Sequence, residues 1–505
     1  MSKSGMRQQA HSPIVMSAFA LALTLALLAP IATPAPAIAS VATTATTATT
    51  ATDSSSMSPC AAAGVIHVHP GSHIQRIVDA APEGATVCFG AGSYRMTTPI
   101  YPHAGQTLIG NHATLTGARV LSGFTRTSRG WTIGGQTQQG EQTGTCVGTS
   151  TACHYPDDVL RDGRPLKRVV RASHLTKGSY YFDYARNRIT LHDSPRGHAM
   201  RAMVAPAAIV SRSGADGANV TVTGFTITHF ASLAQHGAID TTAPGWLIEN
   251  NTVEVNHGSG IRSDGHVTIT HNRMLRNGQL GVGGSGSETT VTDNEIAYNN
   301  TAGFDGGWEA GGGKWAVTDG LDVEDNSVHD NNGPGLWTDI DGQNTTYAGN
   351  VVTNNARAGI FLEISAGASI RDNVVTGNGH SIDDWLWGSG ILIAGSHDVA
   401  ISGNTLKGNA EGIGMIQAAR GTSDVDGMPR TIHNIAVSGN TITVNGTSSG
   451  AVTDDGFDSM FSDPSITWTD NTWHRSSGNV FDWNNDYLDA AAWRALGHDV
   501  DGTFD

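Results

Sequence analysis

A short pattern of an asparagine, any residue and an apolar residue recurs along the second half of the chain. The asparagines are spaced by 21, 22, 32, 24, 23, 31, 36 and 31 residues, and they are Asn251, Asn272, Asn294, Asn326, Asn350, Asn373, Asn404, Asn440 and Asn471. Self-similarity at a period of roughly 20–50 residues is typical of solenoids. The pattern therefore predicts a repeating coil of 21–24 residues, with loop insertions where the spacing is longer.

Each coil carries short segments in which apolar and polar residues alternate. Segments such as VTIT and VAIS stand shortly before the recurrent asparagine, and segments such as GLWT, GIFL and GILI follow it by about ten residues. Alternation of period two over so few residues predicts β-strands. Stacked coils place like residues in columns about 4.8 Å apart. We therefore expect an all-β fold, a parallel β-helix, in which the asparagines form a buried ladder at a turn.

The start of the chain differs from this repeat. Lys3 and Arg7 precede an apolar run, which ends in prolines and small residues up to Ala39. This order is typical of a secretory signal peptide, which we assign to residues 1–39, and the prolines argue against a retained membrane span. Residues 40–58 are rich in Thr, Ala and Ser and have little to bury, so they are expected to be a disordered leader.

Charge and cysteine content narrow the partners and the compartment. The net charge is −16, so the surface should repel nucleic acid and anionic lipid, and we expect neither nucleic acid nor membrane as a partner after signal removal. Four cysteines suit an oxidising compartment. Of the three connectivities that four cysteines allow, Cys60–Cys88 with Cys146–Cys153 closes the most local loops. We expect a secreted, extracellular protein that is a monomer.

The repeat also resembles the pectin-lyase-like right-handed parallel β-helix proteins of carbohydrate metabolism. Residues 71–96 resemble the N-terminal cap helix and first rung of that family. Residues 158–169 and 178–195 resemble the small β insertion of its glycosidase-like bacterial members, and residues 481–504 resemble their closing segment. The resemblance implies a right-handed β-helix and carbohydrate chemistry. It does not define the reaction, because one such fold hosts hydrolases, lyases, epimerases and adhesins.

These segments imply an order of parts along the chain. After the leader we expect a cap with the first rungs, then a β-rich insertion, the main β-helix and a closing segment. Their predicted bounds are residues 59–124, 125–205, 206–480 and 481–505.

Aligning the strands that follow the asparagines places acidic residues on neighbouring rungs. The alignment uses the apolar residue after glycine, which should point inward: Ile261, Val282, Phe304, Leu336, Ile360, Ile391 and Ile413. Residues one and three positions later should face outward. Asp339 and Glu363 then lie about 5 Å apart in one column. Asp305 precedes Asp339 by one rung, with Trp337 stacked over it. Because like charges on a ladder are destabilising, the Asp339–Glu363 pair indicates a function.

Two long loops are expected to flank these carboxylates. The first would follow Asp305, over residues 306–318, and bring Trp308, Glu309, Lys314 and Trp315. The second, residues 379–389, would bring His380, Asp383, Asp384, Trp385 and Trp387. Tryptophan faces cover the C–H face of a pyranose, so these loops predict a sugar-binding cleft. Trp337 and Asp341 complete the candidate substrate-binding residues, and Arg262 with Asp264 would form a surface pair at the far end of the cleft.

The candidate catalytic residues are Asp339, Glu363 and Asp305. Glycoside hydrolysis needs one carboxylic acid to protonate the leaving oxygen and one carboxylate as nucleophile or as base for water. Asp339 and Glu363, about 5 Å apart, suit retention of configuration, whereas Asp305 and Asp339, about 8 Å apart, suit inversion. The sequence leaves both mechanisms open. We prefer a glycoside hydrolase that acts on an extracellular polysaccharide and requires no cofactor.

Two other functions stay open at this point. A polysaccharide lyase or uronate epimerase would use Ca²⁺, held by carboxylates such as Asp339, Asp341 and Glu363, and Lys314 or Arg262 as the base. A glycan-binding adhesin would need no stacked carboxylates and should have a uniform surface along its length.

Overall fold

The computed structural model describes residues 59–382, 385–444, 448–453, 458–475, 478 and 480–505. The predicted signal peptide and leader, together with Asp383 and Asp384, lie outside the described residues. Among the helices in these ranges, none is long and apolar enough to cross a membrane.

The main body is a right-handed parallel β-helix, and within the described ranges 34 strands belong to one hydrogen-bonded sheet that winds through three faces. The predicted fold class is therefore confirmed. Along each coil the chain passes from a face 1 strand to a face 2 strand, then through the recurrent asparagine to a face 3 strand. The long strands Thr107–Thr116 and Thr221–Thr228 span faces 2 and 3, and Leu280–Thr292 and Gly311–Glu324 span faces 1 and 2.

The other strands of the three faces are short. Face 1 contains Ile209–Val210, Gly237–Thr241, Ser259–Asp264, Leu336–Asp339, Ile360–Glu363, Ser389–Ala394, Glu411–Gln417, Ser449–Thr453 and Phe481–Trp483, the last paired with Asp486–Leu488. Face 2 contains Ile66–Val68, Thr86–Phe89, Trp246–Glu249, Val267–Thr270, Gln343–Ala348, Ala366–Arg371, His397–Ser402, His433–Ser438 and Ile466–Thr469. Face 3 contains Gly92–Arg95, Thr252–Glu254, Arg273–Leu275, Glu295–Ala297, Ser327–His329, Val351–Thr353, Val374–Thr376, Thr405–Lys407, Thr441–Val444, Thr472–Arg475 and Thr503–Phe504.

The core of the β-helix consists of inward apolar columns. Six of the seven residues that were predicted to point inward on face 1 are buried in this core: Ile261, Val282, Leu336, Ile360, Ile391 and Ile413. They stack on one another through parallel pairs such as Leu336 beside Ile360. Phe304 is the exception, and its position alters the site described below.

The predicted asparagine ladder is present on the turn between faces 2 and 3. The side-chain amide of Asn350 donates to Oδ1 of Asn373 at 3.0 Å and to the carbonyl of Val323 at 2.8 Å. Its own Oδ1 accepts from the backbone and side-chain nitrogens of Asn326, each at 3.0 Å. The same bonds recur from Asn251 to Asn471, where the ladder ends on Asp499. Each buried amide is thus satisfied by the next coil.

A second asparagine ladder, which the sequence analysis missed, lies five residues further along each coil. It joins Asn256, Asn277, Asn299, Asn331, Asn355, Asn378 and Asn409. It occupies the turn between faces 3 and 1. The signal was present in the sequence, because each of these residues follows a member of the first ladder at a constant offset.

Both ends of the solenoid are closed. Helix α1 (Ile74–Ala80) lies at the first coil, with Val78 buried, and Cys60 is bonded to Cys88. Helix α2 (Ala490–Ala495) packs Trp493 against Phe481, at 4.4 Å between ring centroids, at the other end. Short 3₁₀ helices lie at Pro59–Ala61, Ala152–His154, Ala172–His174, Tyr184–Arg186, Gly214–Gly217 and Asp458–Ser462.

A β insertion follows the first coils. It forms one sheet from Thr125–Thr127, Gly130–Ile133, Lys167–Val169, Ser179–Asp183 and Arg188–Leu191, and another from Ala118–Val120, Val159–Arg161, Arg164–Pro165 and Met200–Met203. It contains the Cys146–Cys153 disulfide, so both predicted pairings are confirmed. The backbone of Asp305 donates to Thr145 at 2.9 Å, which ties the insertion to the β-helix.

We predict that Asn350→Ala destabilises the protein by about 1–3 kcal/mol, because it leaves buried ladder partners unmet. Denaturant or thermal unfolding measures the loss. Asn332→Ala is the matched control, since Asn332 is exposed and its amide makes only a 3.5 Å contact with the carbonyl of Asn300. Equal melting of the two variants would contradict a stabilising ladder.

Candidate active site

Three consecutive rungs of face 1 build the candidate site. Trp337 pairs with Phe361, and continuing the same register places Asp339 beside Glu363. Neighbouring strands lie about 4.8 Å apart, so the backbones of the two residues share a column at that spacing, as predicted. Both side chains are largely buried, with Asp339 5% and Glu363 6% exposed. Two acidic groups are therefore held together where solvent has little access.

The predicted position of Asp305 on the preceding rung is wrong. That rung is the strand Gly311–Glu324, in which Lys314 pairs with Trp337 and Ala316 with Asp339. Phe304 packs in a separate cluster with Cys146 and Cys153, and not in the core of the β-helix. Asp305 lies in the loop of residues 300–310, with its carboxylate 3.6 Å from the guanidinium of Arg357. The extra residues of this coil therefore precede the strand instead of following it.

The glycines before Lys314 explain the misplaced register. A Cβ at Gly313 would lie 2.6 Å from the indole of Trp315, and a Cβ at Gly312 would lie 2.3 Å from the carbonyl of Gly335. Glycine is therefore required in this strand, whereas a glycine run in a sequence ordinarily indicates a loop. Trp315 fills the core space that Gly313 leaves free.

Lys314 occupies the centre of the site. Its ammonium lies 2.8 Å from Oδ2 of Asp339 and donates to the carbonyl of Trp308 at 2.7 Å. The same nitrogen stands 3.6 Å from the centroid of the Trp337 ring, in a cation–π contact. Only 5% of Lys314 is exposed. The amino group of Lys314 is thus held against Asp339, whose Oδ1 accepts from the backbone of Ile340 at 2.8 Å.

Glu363 has a different environment from Asp339. Burial and, to a lesser extent, the neighbouring charge of Asp339 raise the pKa of Glu363 to about 7, although Arg420 and Lys314 act in the opposite direction. Arg420 forms an ion pair with Oε1 of Glu363. Glu363 can therefore carry a proton near neutral pH, which is the condition for a general acid.

Arg420 belongs to a segment that the sequence analysis missed, residues 418–431, named here the arginine loop. Asp341 anchors this loop, because Arg430 lies 2.8 Å from Oδ2 of Asp341 and the backbone of Asp424 donates to the same oxygen at 3.2 Å. The carboxylate of Asp341, predicted to bind substrate, is therefore engaged by the loop. The longest spacing of the repeat, 36 residues from Asn404 to Asn440, had marked this insertion.

Glu309 is a third carboxylate near the centre. Burial raises its pKa, the charge of Lys314 lowers it, and the charge of Asp339 raises it again. Gln235 donates to its Oε2 at 2.6 Å. Glu309 thus lies within electrostatic reach of both Lys314 and Asp339, as the prediction of a shared site requires.

The tryptophans are less exposed than predicted. Trp315 points into the core and is fully buried, so its prediction as a substrate-binding residue is wrong. Trp337 is 2% exposed, covered by Lys314 and stacked on Phe361 at 5.2 Å between ring centroids. The indole of Trp337 is therefore packed between Lys314 and Phe361 and has no exposed face that could contact a sugar. Trp308 is half-buried beside Phe304.

The loop of residues 379–389 covers the next rungs. Trp387 packs edge-on against Phe361, at 6.2 Å between ring centroids, and Trp385 is 42% exposed. His380 is exposed and its Nε2 contacts the carbonyl of Gly408 at 2.9 Å. Trp385 is therefore the tryptophan of this loop with a ring face available to a ligand.

The predicted Arg262–Asp264 pair lies on the rungs before the site. A guanidinium nitrogen of Arg262 stands 2.8 Å from Oδ1 of Asp264, and another lies 3.6 Å from Asp240. The rungs between this pair and Asp339 carry the small outward residues Gly283, Ser285 and Ala316. Three rungs correspond to about 14 Å, a length that accommodates more than one sugar ring.

The donor set does not fit a calcium ion. Asp339, Asp341 and Glu363 each face a cationic side chain, namely Lys314, Arg430 and Arg420. Ca²⁺ requires six to eight oxygen ligands whose charge is not already neutralised.

Comparisons with known proteins agree with the fold. The family described as right-handed beta helix region matches residues 237–405. The solved complex of XylC with xylose has a TM-score of 0.61 at 15% identity, over 84% of this chain and 86% of that chain. The A-module of the mannuronan C-5 epimerase AlgE6 from Azotobacter vinelandii has a TM-score of 0.41 at 14% identity, over 86% and 93%. No curated protein matches this chain. At these identities the likeness shows the fold.

The raised pKa of Glu363 predicts a pH-dependent gain in stability for Glu363→Gln. Because the folded pKa lies above the ordinary value, the stability that Glu363 contributes at low pH is lost as the pH rises through about 7. The glutamine variant should therefore melt increasingly above the parent between pH 5 and pH 8. Glu324→Gln, at a more exposed site on face 2, is the control. Parallel melting profiles would contradict the assigned shift.

Proposed function

We propose that this protein is a secreted glycoside hydrolase that cleaves an extracellular polysaccharide by double displacement, with retention of configuration. The observation that carries the proposal is the pair Asp339 and Glu363 on adjacent rungs of the β-helix, in which Asp339 is ion-paired to Lys314 and the pKa of Glu363 is raised to about 7. A carboxyl group that can retain its proton near neutral pH, with a second carboxyl group beside it, is the arrangement that a glycosidase with an acid and a nucleophile needs.

Asp339 has the role of nucleophile in this mechanism. Its carboxylate faces Lys314 and accepts a backbone hydrogen bond, which fixes its orientation. One oxygen attacks the anomeric carbon while Glu363 gives its proton to the glycosidic oxygen, so that the leaving sugar departs as an alcohol. The product of this step is a glycosyl ester on Asp339.

Glu363 then acts as a base in the second step. It takes a proton from water, the resulting nucleophile attacks the anomeric carbon, and the bond to Asp339 breaks. The cycle returns both groups to their starting state. A separation of about 5 Å between the carboxyl groups is the value for retaining enzymes. Asp305 lies off this column, which removes support for the inverting alternative.

The alternatives have less support. A lyase or epimerase needs a base and a group that neutralises a uronate, yet Lys314 is already paired with Asp339 and the nearby carboxylates already face cations. An adhesin does not explain a buried lysine among buried carboxylates at one place on the solenoid. The XylC likeness supports carbohydrate binding on this architecture, since that structure holds xylose. The two disulfides support an extracellular location.

We predict that Asp339→Asn abolishes turnover and that Glu363→Gln lowers kcat by about 10²–10⁴-fold, because each removes one half of the acid–nucleophile pair. Product analysis with a panel of neutral and acidic polysaccharides first identifies a cleaved substrate. Asp305→Asn is the control and should retain activity. Full activity of both site variants would place the chemistry elsewhere, and loss of activity in Asp305→Asn would restore the inverting mechanism.

We further predict that azide rescues Glu363→Ala on a substrate with an activated leaving group. The azide ion attacks the glycosyl ester on Asp339 without needing a base, so the product is a glycosyl azide of retained configuration. Proton NMR of the anomeric centre distinguishes it from an inverted product. A conjugated double bond in the products of the parent would instead identify a lyase.

A further inference from the structure

A pair of histidines stands in one column of face 2, away from the carboxylates of the candidate active site. His397 pairs in register with His433 on the neighbouring rung, and the two rings stack at 4.4 Å between centroids. Nδ1 of His397 lies 2.7 Å from Oδ2 of Asp398. One donor atom from each of these three residues lies within 4.8 Å of the others.

This donor set has the chemistry of a transition-metal site. Two imidazoles and a carboxylate are ligands for zinc and its neighbours, with water completing the coordination. The rings come from adjacent strands, so the ladder of the β-helix fixes their separation. An ion shared by these donors would stand about 2.0–2.1 Å from each nitrogen, so binding requires the stacked rings to rotate toward it.

A fourth residue supports the arrangement from outside. Nε2 of His397 lies 3.4 Å from Oδ2 of Asp426, and that oxygen belongs to the arginine loop. A histidine that binds a metal through one ring nitrogen commonly donates its other N–H to a carboxylate, which sets the tautomer and the ring orientation. Asp398 is oriented in turn, because the amide of Asn434 donates to its Oδ1.

We propose that His397, Asp398 and His433 bind one divalent transition-metal ion of the zinc class, with Asp426 as the carboxylate behind His397. The ion stabilises the arginine loop from its far side. Asp341 holds the same loop through Arg430, and the loop holds Arg420 against Glu363. The site has a structural role and stands whether or not the chain is a glycoside hydrolase.

Zinc binding to the full secreted protein tests the proposal. The protein is stripped with a chelator and titrated with zinc against a chromophoric competitor, and native mass spectrometry gives the stoichiometry. We expect one zinc in the parent and none in His433→Ala. His271→Ala is the matched control, because His271 is an exposed histidine in the turn after another face 2 strand, and it should bind as the parent does. Asp426→Asn should weaken binding about 10–100-fold.

Cobalt gives a second readout that a folding defect does not imitate. Co²⁺ in a four-coordinate nitrogen and oxygen site absorbs in the visible range, and zinc should displace it. His433→Gln, which retains a polar side chain of similar size, guards against misfolding of the alanine variant. A parent that binds no zinc, or that binds it equally after His433→Ala and His433→Gln, overturns the site.

Trypsin tests the link to the arginine loop, since Arg420 and Arg430 are cleavage points within it. Zinc should slow cleavage at these positions several-fold in the parent and leave the rate unchanged in His433→Ala. An unchanged rate in a zinc-loaded parent would overturn the role in the loop. Activity is not the readout, so failure of the proposed hydrolase function would not affect this result.

Discussion

The hydrogen-bonded asparagine ladder is the constraint on which the rest of the structure depends. Each side-chain amide donates to the next asparagine and to a backbone carbonyl, so a coil that slipped by one residue would leave buried polar groups without partners. Because the register is fixed, residues that are 24 positions apart in sequence, such as Asp339 and Glu363, become neighbours on adjacent strands. The ladder closes on Asp499, which also accepts from the indole of Trp473, so the same device seals the end of the solenoid.

The site depends on charge compensation within this frame. Buried ions require partners, and the three buried carboxylates Asp339, Asp341 and Glu363 meet Lys314, Arg430 and Arg420 respectively. The pairings differ in kind. Lys314 lies on the strand Gly311–Glu324 of the β-helix, whereas the two arginines belong to a single loop. Asp339 is therefore matched by a group on a strand of the β-helix, and Glu363 by a group on a loop that Asp341 anchors.

The sequence predicted the fold because its signals are local and repeated. The spacing of Asn326 and Asn350 defines a coil, and alternation in the strands defines inside and outside, so the shared column of Asp339 and Glu363 followed. The errors arose where a local signal was ambiguous. Phe304 follows a glycine, as the inward residue of each face 1 strand does, and was therefore assigned to a strand. The actual strand begins with glycines 311–313, and Gly313 is required there because the indole of Trp315 packs against it. Arg420 was beyond prediction for another reason: loop contacts across 57 residues follow no period.

The stacked rungs and the loops contribute different parts of the candidate site. The stacked rungs supply positions that hardly vary, because every side chain on them is tied to the register of its neighbours. The loops supply what the rungs lack: the 300–310 loop is held to the β insertion by Cys146 and its backbone, and it delivers Glu309 toward Lys314. The arginine loop is held by Asp341 and, in our proposal, by a metal ion at His397. Because each loop has its own anchor, the position of Asp339 relative to Glu363 is set by the paired strands of face 1 and not by either loop. The protonation of Glu363 is not independent of the loops, however, because Arg420 of the arginine loop forms an ion pair with it and lowers its pKa.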